Sequence, residues 1–320
     1  MDATTRMQWF RRVALVGALL AAAVVVLGAW VRLTDAGLGC PDWPGCYGHI
    51  YPENEGSFVK GLHEMIHRYF AGTLVGIIAL LMVFAIWNRR DRIQPLTPVV
   101  MLFFIVLMQA ALGALTVTLL VKPLIVTAHL LGGLTTLGIL WWLCLSPDAK
   151  PPAPREMKLR PWALIAFAAL AVQIFLGGWT STNYAAVACP DLPTCQRAWW
   201  PPMDFHNAFV LWRGLHVDFT GGILSNAART AIHVTHRIGA VIAGSILIIV
   251  GAFAIYLSEG RRLRVAGTLL IVAVLLQISI GLSMVHLGMP LTLAVFHNAG
   301  AALLVIALTT LVRTLWPARH

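Results

Sequence analysis

Two short stretches place polar, chemistry-bearing side chains where hydrocarbon begins. Glu64-Met65-Ile66-His67-Arg68 stands at the mouth of one apolar run, and His233-Val234-Thr235-His236-Arg237 stands at the mouth of another. Imidazole and guanidinium are both costly in a bilayer, so a segment that carries them in its first turns is expected to hold something with them. Two further histidines, His129 and His297, lie inside later apolar runs.

The elements that must position these groups follow from composition. Of the 320 residues, 59% are hydrophobic and only 11% charged, and the mean hydropathy is +0.80, which belongs to a chain solvated largely by lipid. Eight apolar runs, at 13–33, 62–87, 96–120, 123–146, 161–182, 229–257, 263–285 and 290–315, each have about the 20 residues that span a bilayer as a helix. Backbone amides in lipid need internal partners, so the expected fold is an all-α integral membrane protein. Its eight transmembrane helices form two pseudo-symmetric four-helix bundles.

Basic residues set the expected orientation. Arg6, Arg11, Arg12, Arg89, Arg90, Arg92, Lys150, Arg155, Lys158, Arg160, Arg261, Arg262, Arg264, Arg313 and Arg319 all fall on one face, with Asp2, Asp91, Asp148, Glu156 and Glu259 as its only acids. That face is inside, with both termini cytoplasmic. It carries the whole formal charge of +10, so the high pI reports topology and anionic lipid rather than nucleic acid. The first run follows Arg11-Arg12 without a small-residue cleavage site, and is expected to remain as a membrane anchor.

The chain is written twice. Cys40-Pro41-Asp42-Trp43-Pro44-Gly45-Cys46 returns as Cys189-Pro190-Asp191-Leu192-Pro193-Thr194-Cys195, and His67, Gln109, Gly113 and His129 return as His236, Gln277, Gly281 and His297. Only the second outer loop is longer, so helices match and the insertion maps to a loop. The Pro-rich polar stretch from Pro147 to Pro161 separates a half at 1–150 from a half at 151–320. Four spans in each half make the halves parallel repeats.

In each half the second and fourth spans run the same way, and their histidines fall at similar depth, His67 about five and His129 about six residues in. At roughly 1.5 Å per residue both lie some 7 to 9 Å below the outer mouth. Two imidazoles facing one bundle core at one level make a bis-histidine heme site, and His236 with His297 make a second. A histidine proton relay or a non-heme metal site are the alternatives. Arg68 and Arg237 suit either a heme propionate or lipid headgroups. Gly113, Gly132, Gly133, Gly239, Gly281 and Gly300 suit close helix packing or a flat macrocycle.

One position breaks the symmetry. Glu64 stands one turn before His67, and its counterpart is His233. A carboxylate in only one half fits proton chemistry there beside a permanent cofactor in the other, or an acid favoured by the helix N-terminus. The Cys pairs fit local disulfides or a redox-active pair, and neither a heme-attachment nor a zinc spacing. Cys144, on the inner side, reads as a small core residue. His49, His63, His206, His216, His286 and His320 lack a histidine counterpart and read as surface or interfacial. Trp87, Trp141, Trp162, Trp179 and Trp316 sit near span ends, as an aromatic belt requires.

Glu64-x-x-His67-Arg68, the Cys40–Cys46 motif, Thr180-Ser181 with Tyr184 ahead of Cys189, His236-Arg237, His129 and His297 together resemble the bacterial, cysteine-containing heme A synthases over nearly the whole chain. The resemblance implies oxidation of the C8 methyl of heme O to a formyl group, giving heme A for terminal oxidases. It implies heme b on His236 and His297, substrate heme on His67 and His129, and a catalytic or proton-handling Glu64. It also implies disulfide or redox roles for Cys40, Cys46, Cys189 and Cys195. The expected setting is a bacterial inner membrane, with heme O synthase as substrate donor, an external electron donor and a homo-oligomer as an open possibility. A two-heme electron carrier and a heme transporter or chaperone without turnover are the rival classes.

Overall fold

The computed structural model describes residues 2–52, 58–89, 95–145, 151–215 and 217–316. Arg90, Asp91, Arg92, Asp148, Lys150, His216, Arg319 and His320 lie outside the described residues. The helices are α1 (Ala3–Leu33), α2 (Phe58–Trp87), α3 (Leu96–Thr118), α4 (Pro123–Cys144), α5 (Pro154–Met157), α6 (Arg160–Thr182), α7 (Phe205–Ala208), α8 (Asn226–Leu257), α9 (Arg261–His286) and α10 (Leu291–Leu315). Eight are long and apolar enough to cross a membrane, and the described residues contain no β-strand beyond two isolated bridges. The protein is an all-α, multi-pass membrane protein.

Several helices outrun the expected spans, because a hydropathy count stops at a charge whereas a helix does not. α1 continues back to Ala3 through Arg6, Arg11 and Arg12, and Asp2 caps it by accepting the Thr5 N–H at 3.0 Å. Arg6 donates to Asn88 Oδ1 at 2.9 Å and Arg11 to the Cys144 carbonyl at 3.0 Å, so these charges tie together the ends of α1, α2 and α4 that lie opposite the disulfide loops. Arg160 does the same between α6 and α10, donating to the Leu315 carbonyl at 2.8 Å.

Contacts close a ring of four helices in each half. The first half packs α1 on α2, α2 on α3, α3 on α4 and α4 back on α1; the second packs α6 on α8, α8 on α9, α9 on α10 and α10 on α6. The halves meet through α1 against α10, α4 against α6 and α4 against α10. Because α1 corresponds to α6 and α4 to α10, the first two contacts are counterparts, and α4 against α10 lies on the pseudo-twofold axis. One hydrophobic core, with Leu137 and Leu140 of α4 and Leu308 and Leu311 of α10 fully buried, runs through both halves. Trp141 Nε1 donates across the seam to Thr310 Oγ1 at 2.8 Å.

Within the second half α8 and α9 touch through glycine. A Cβ on Gly267 would lie 2.6 Å from the Gly251 carbonyl oxygen, a backbone atom that cannot swing aside. Gly267→Val is therefore expected to force these helices apart at a cost of about 1–3 kcal/mol. Thermal unfolding in detergent checks it, with Gly260→Ala as control because nothing stands within 4 Å of that position.

Candidate functional site

The site is built from the helix ends that carry the disulfide loops. α1 and α6 each stop at a residue of positive φ, Asp35 and Tyr184, that turns the chain into a loop closed by a disulfide, Cys40–Cys46 and Cys189–Cys195. All four cysteines are buried. Asp42 accepts the N–H groups of Tyr47 at 2.6 Å and Gly48 at 2.8 Å; Asp191 accepts those of Gln196 at 2.6 Å and Arg197 at 3.0 Å. The Gly48 N–H above all, then the Tyr47 N–H and the nearby Arg68, hold the Asp42 carboxyl below the ordinary carboxylate range. At Asp191 the Thr194 hydroxyl leads, followed by the Arg197 and Gln196 N–H groups.

A guanidinium clamps each loop to the helix that carries a histidine. Arg68 Nη1 donates to the carbonyls of Asp42 at 2.9 Å, Gly45 at 2.5 Å and Pro44 at 3.2 Å, while Arg237 Nη1 donates to those of Asp191 at 3.0 Å and Thr194 at 2.8 Å. The second Nη differs between halves. Arg237 Nη2 takes the Cys189 carbonyl at 2.8 Å, whereas Arg68 Nη2 takes Glu64 Oε1 at 2.5 Å. The other Glu64 oxygen accepts the Cys40 N–H at 2.9 Å, so this buried carboxylate joins α2, the disulfide and Arg68. The donors that the sequence offered to propionates are, in this arrangement, engaged by the loops.

Below the clamps lie the imidazoles. The rings of His67 and His129 stand 6.5 Å apart, centroid to centroid, at 81°. α2 begins at Phe58, so His67 is deeper in its helix than the sequence placed it; the rings meet because the first turns of α2 rise beside the disulfide loop. His236 and His297 are the counterparts of this pair in the second half. Each ring rests against a glycine of the next helix. Cβ atoms on Gly28, Gly113, Gly177 and Gly281 would lie 3.0, 3.6, 3.1 and 3.1 Å from Cε1 of His67, His129, His236 and His297 respectively.

Glutamines orient the second-half rings. Gln173 Nε2 lies 3.1 Å from His236 Nδ1 and donates to the His236 carbonyl at 3.1 Å; Gln277 Nε2 lies 3.3 Å from His297 Nε2 and donates to the His297 carbonyl at 3.0 Å. In the first half the counterpart of Gln173 is Val24, and both amide atoms of the buried Gln109 lack a partner. Sequence reading singled out Gln109 and Gln277 as repeated without giving them a task, and missed Gln173, whose counterpart is not a glutamine.

The residues fit a bis-histidine heme. Buried Nδ1 atoms of His67, His129 and His297 have no hydrogen-bond partner. An imidazole nitrogen sits about 2.0–2.1 Å from a metal, so two rings on one iron have centroids about 6.4 Å apart, close to the observed spacing. Among the described residues no group of three or more His, Cys, Asp or Glu side chains is placed to hold a metal ion.

The other expected surface histidines divide. His49, His206 and His286 are exposed, while His63 is half-buried, edge-on to Trp30 at 5.9 Å. His233, the Glu64 counterpart, is buried. Cys144 is half-buried and donates to the Trp141 carbonyl. Lys122 escaped sequence reading altogether: it is fully buried, its Nζ 3.9 Å from the Trp212 ring and bonded to the Gly214 carbonyl. The longer second loop thus reaches over α4 of the first half.

A multi-pass α-helical membrane protein with two pairs of imidazoles at equivalent places of an internal repeat defines a class, that of membrane-embedded bis-histidine proteins. Residues 11–309 match the profile of the cytochrome oxidase assembly protein family, COX15-CtaA. The chain is 40% identical over 329 residues, 97% of each chain, to a heme A synthase of Shewanella oneidensis. It is 26% identical over 302 residues, 90% of each, to a heme A synthase of Halalkalibacterium halodurans, and 28% identical over 318 residues, 87% of this chain and 82% of the relative, to one of Rhizobium rhizogenes. The chain belongs to the COX15-CtaA family.

The clamp makes a prediction that carries its own control. Arg237→Met should free the carbonyls of Cys189, Asp191 and Thr194 and loosen the second loop only. Dithiothreitol should then reduce Cys189–Cys195 severalfold faster while Cys40–Cys46 in the same molecule keeps its rate, read by differential thiol alkylation and mass spectrometry. Equal acceleration at both disulfides would count against the assignment.

Proposed function

We propose that this protein is a heme A synthase, a heme-dependent oxidoreductase that converts the C8 methyl of heme O to the formyl group of heme A. The observation that carries the reading is the pair of imidazole sites with unequal surroundings, in a chain 40% identical to a named heme A synthase. His67 and His129 bind the substrate heme in the half at 1–150. His236 and His297 bind heme b in the half at 151–320, held by Gln173 and Gln277; when bound, heme b supplies a one-electron relay. Two successive hydroxylations of the methyl, each taking one dioxygen with two electrons and two protons from an external donor and releasing one water, give a gem-diol that loses water to the aldehyde.

Glu64 handles protons at the substrate site. It sits one turn from His67, and its two oxygens connect Arg68 and the Cys40 N–H of the disulfide loop. Burial of Arg68 and Glu64 together keeps both charges paired. The termini are cytoplasmic in a bacterial inner membrane, the cysteine pairs face the oxidising side, and heme O synthase delivers the substrate. The recurrence of a histidine pair in both halves favours one rival, a two-heme electron carrier. Incubation with heme O and a reductant separates them: a formyl heme is expected, and two unconverted equivalents of heme b would establish the carrier.

The cofactor half has a spectroscopic test. His236→Ala or His297→Ala should abolish the low-spin spectrum of protein made without heme O, because either change leaves at most one axial imidazole. Retention of that spectrum in both variants would overturn the ligand assignment.

Glu64→Gln tests the proton role with a complication that the structure supplies. Both carboxylate oxygens accept, so the glutamine NH2 must face either Arg68 or the Cys40 N–H, a donor against a donor. Heme b loading and heme O uptake are the required controls. With both intact, turnover is expected to fall by about 10² to 10⁴, stalling at heme O or the hydroxylated heme. Near-normal heme A yield would return Glu64 to a purely structural role.

A further inference from the structure

Of the half-buried arginines at the end of the molecule that carries the disulfide loops, Arg32, Arg68, Arg213 and Arg237 donate to backbone carbonyls. Arg229 does not. No hydrogen bond or ion pair joins its guanidinium to any described residue, although the side chain is half-buried and its Nε fully so. A desolvated guanidinium is costly without an acceptor, so a chain that keeps one in the first turns of a membrane helix has an acceptor to offer it from outside its own residues.

The position of Arg229 narrows what that acceptor is. At 3.6 residues per turn, Arg229, His233 and His236 fall within roughly a 60° arc of α8, and Arg229 stands about 10 Å along the axis from His236, toward the disulfide loop. His233, between them, is buried, and its Nδ1 also lacks a partner. An iron held between imidazoles of α8 and α10 sets the porphyrin plane across the line joining the two rings, so the plane runs along the helices. Its charged edge then lies toward the helix mouth, two turns above the iron, where Arg229 and His233 stand.

The first half has other groups at these places. The counterparts of Arg229, His233 and His236 are Lys60, Glu64 and His67, with Lys60 exposed and Glu64 a buried carboxylate already engaged by Arg68 and the Cys40 N–H. A second carboxylate brought beside Glu64 meets like charge, whereas one brought beside His233 meets two unused donors.

We propose that Arg229 and His233 form a carboxylate-binding subsite for a propionate of the resident heme, present in the second half only. The inference rests on the assignment of heme b to His236 and His297. Arg229 grips the propionate through its guanidinium fork and His233 adds a hydrogen bond from Nδ1, so the heme is held by its edge as well as by its iron. Arg68 and Arg237, spent on the loops, take no part.

The test uses the full-length holoprotein, made without heme O in cells fed δ-aminolevulinate carrying carbon-13 at its carboxyl carbon, which labels the heme propionate carboxylates. Arg229→Gln is expected to shift the labelled carboxylate bands in the redox difference infrared spectrum. It should also lose heme b to excess apomyoglobin about tenfold faster or more, and lower the midpoint potential of the low-spin heme, since a positive charge near the iron favours the ferrous state. Arg229→Lys keeps the charge without the fork and should fall between; Arg229→Met replaces the glutamine variant should that fail to fold. Lys60→Gln is the control and should match the parent. A parent without a low-spin heme would overturn the heme b assignment and the proposal with it. A low-spin parent whose bands and rate of heme loss are unchanged in Arg229→Gln overturns the proposal alone, and so does faster heme loss with unmoved labelled bands, the signature of a purely structural arginine.

Discussion

A guanidinium in the first turns of a membrane helix must find acceptors, and Arg68 and Arg237 find theirs in the carbonyls of the disulfide loops. The rest of the outer half of the molecule depends on that bond. It fixes each loop over the mouth of a helix, and one residue before each arginine stands the histidine. The disulfide, the Asp42 and Asp191 turns and the arginine together form a rigid cap of the same design in both halves. A ring aimed into a bundle core needs such a fixed helix mouth, because a small rotation of α2 or α8 would turn the imidazole toward lipid.

Within that shared design the halves diverge by a few side chains. At the cap, Glu64 takes the place that the Cys189 carbonyl holds in the second half, introducing a carboxylate where the second half has His233. Around the ring, the Gln173 side chain restrains His236, whereas Val24 at the matching position carries no side-chain amide. The second half holds its imidazoles with more side-chain hydrogen bonds, and the first carries a carboxylate at its cap.

The shared core between the halves keeps these two environments in one rigid frame. α4 and α10, the helices that carry His129 and His297, pack on each other across the pseudo-twofold axis. The longer second loop adds a contact at the outer surface, where Lys122 at the head of α4 is enclosed by Trp212 and Phe219 of the other half. Arg32 makes a further tie, donating to the Ser181 carbonyl at 2.9 Å and lying 4.3 Å over the Tyr184 ring.

The sequence by itself determined the eight spans, the internal repeat, the four histidines and the two cysteine pairs. Hydropathy reports how a segment meets lipid, and a duplication copies residue types in order, so both are local properties written along the chain. It also exposed the Glu64–His233 asymmetry. The partners of Glu64, Arg68 and Arg237 were decided only in three dimensions, because they depend on which loop folds back over a helix mouth, and no periodicity records that. The burial of Lys122 was equally hidden, since a lysine ahead of Pro123 looks like any headgroup contact until a loop some 90 residues further along encloses it.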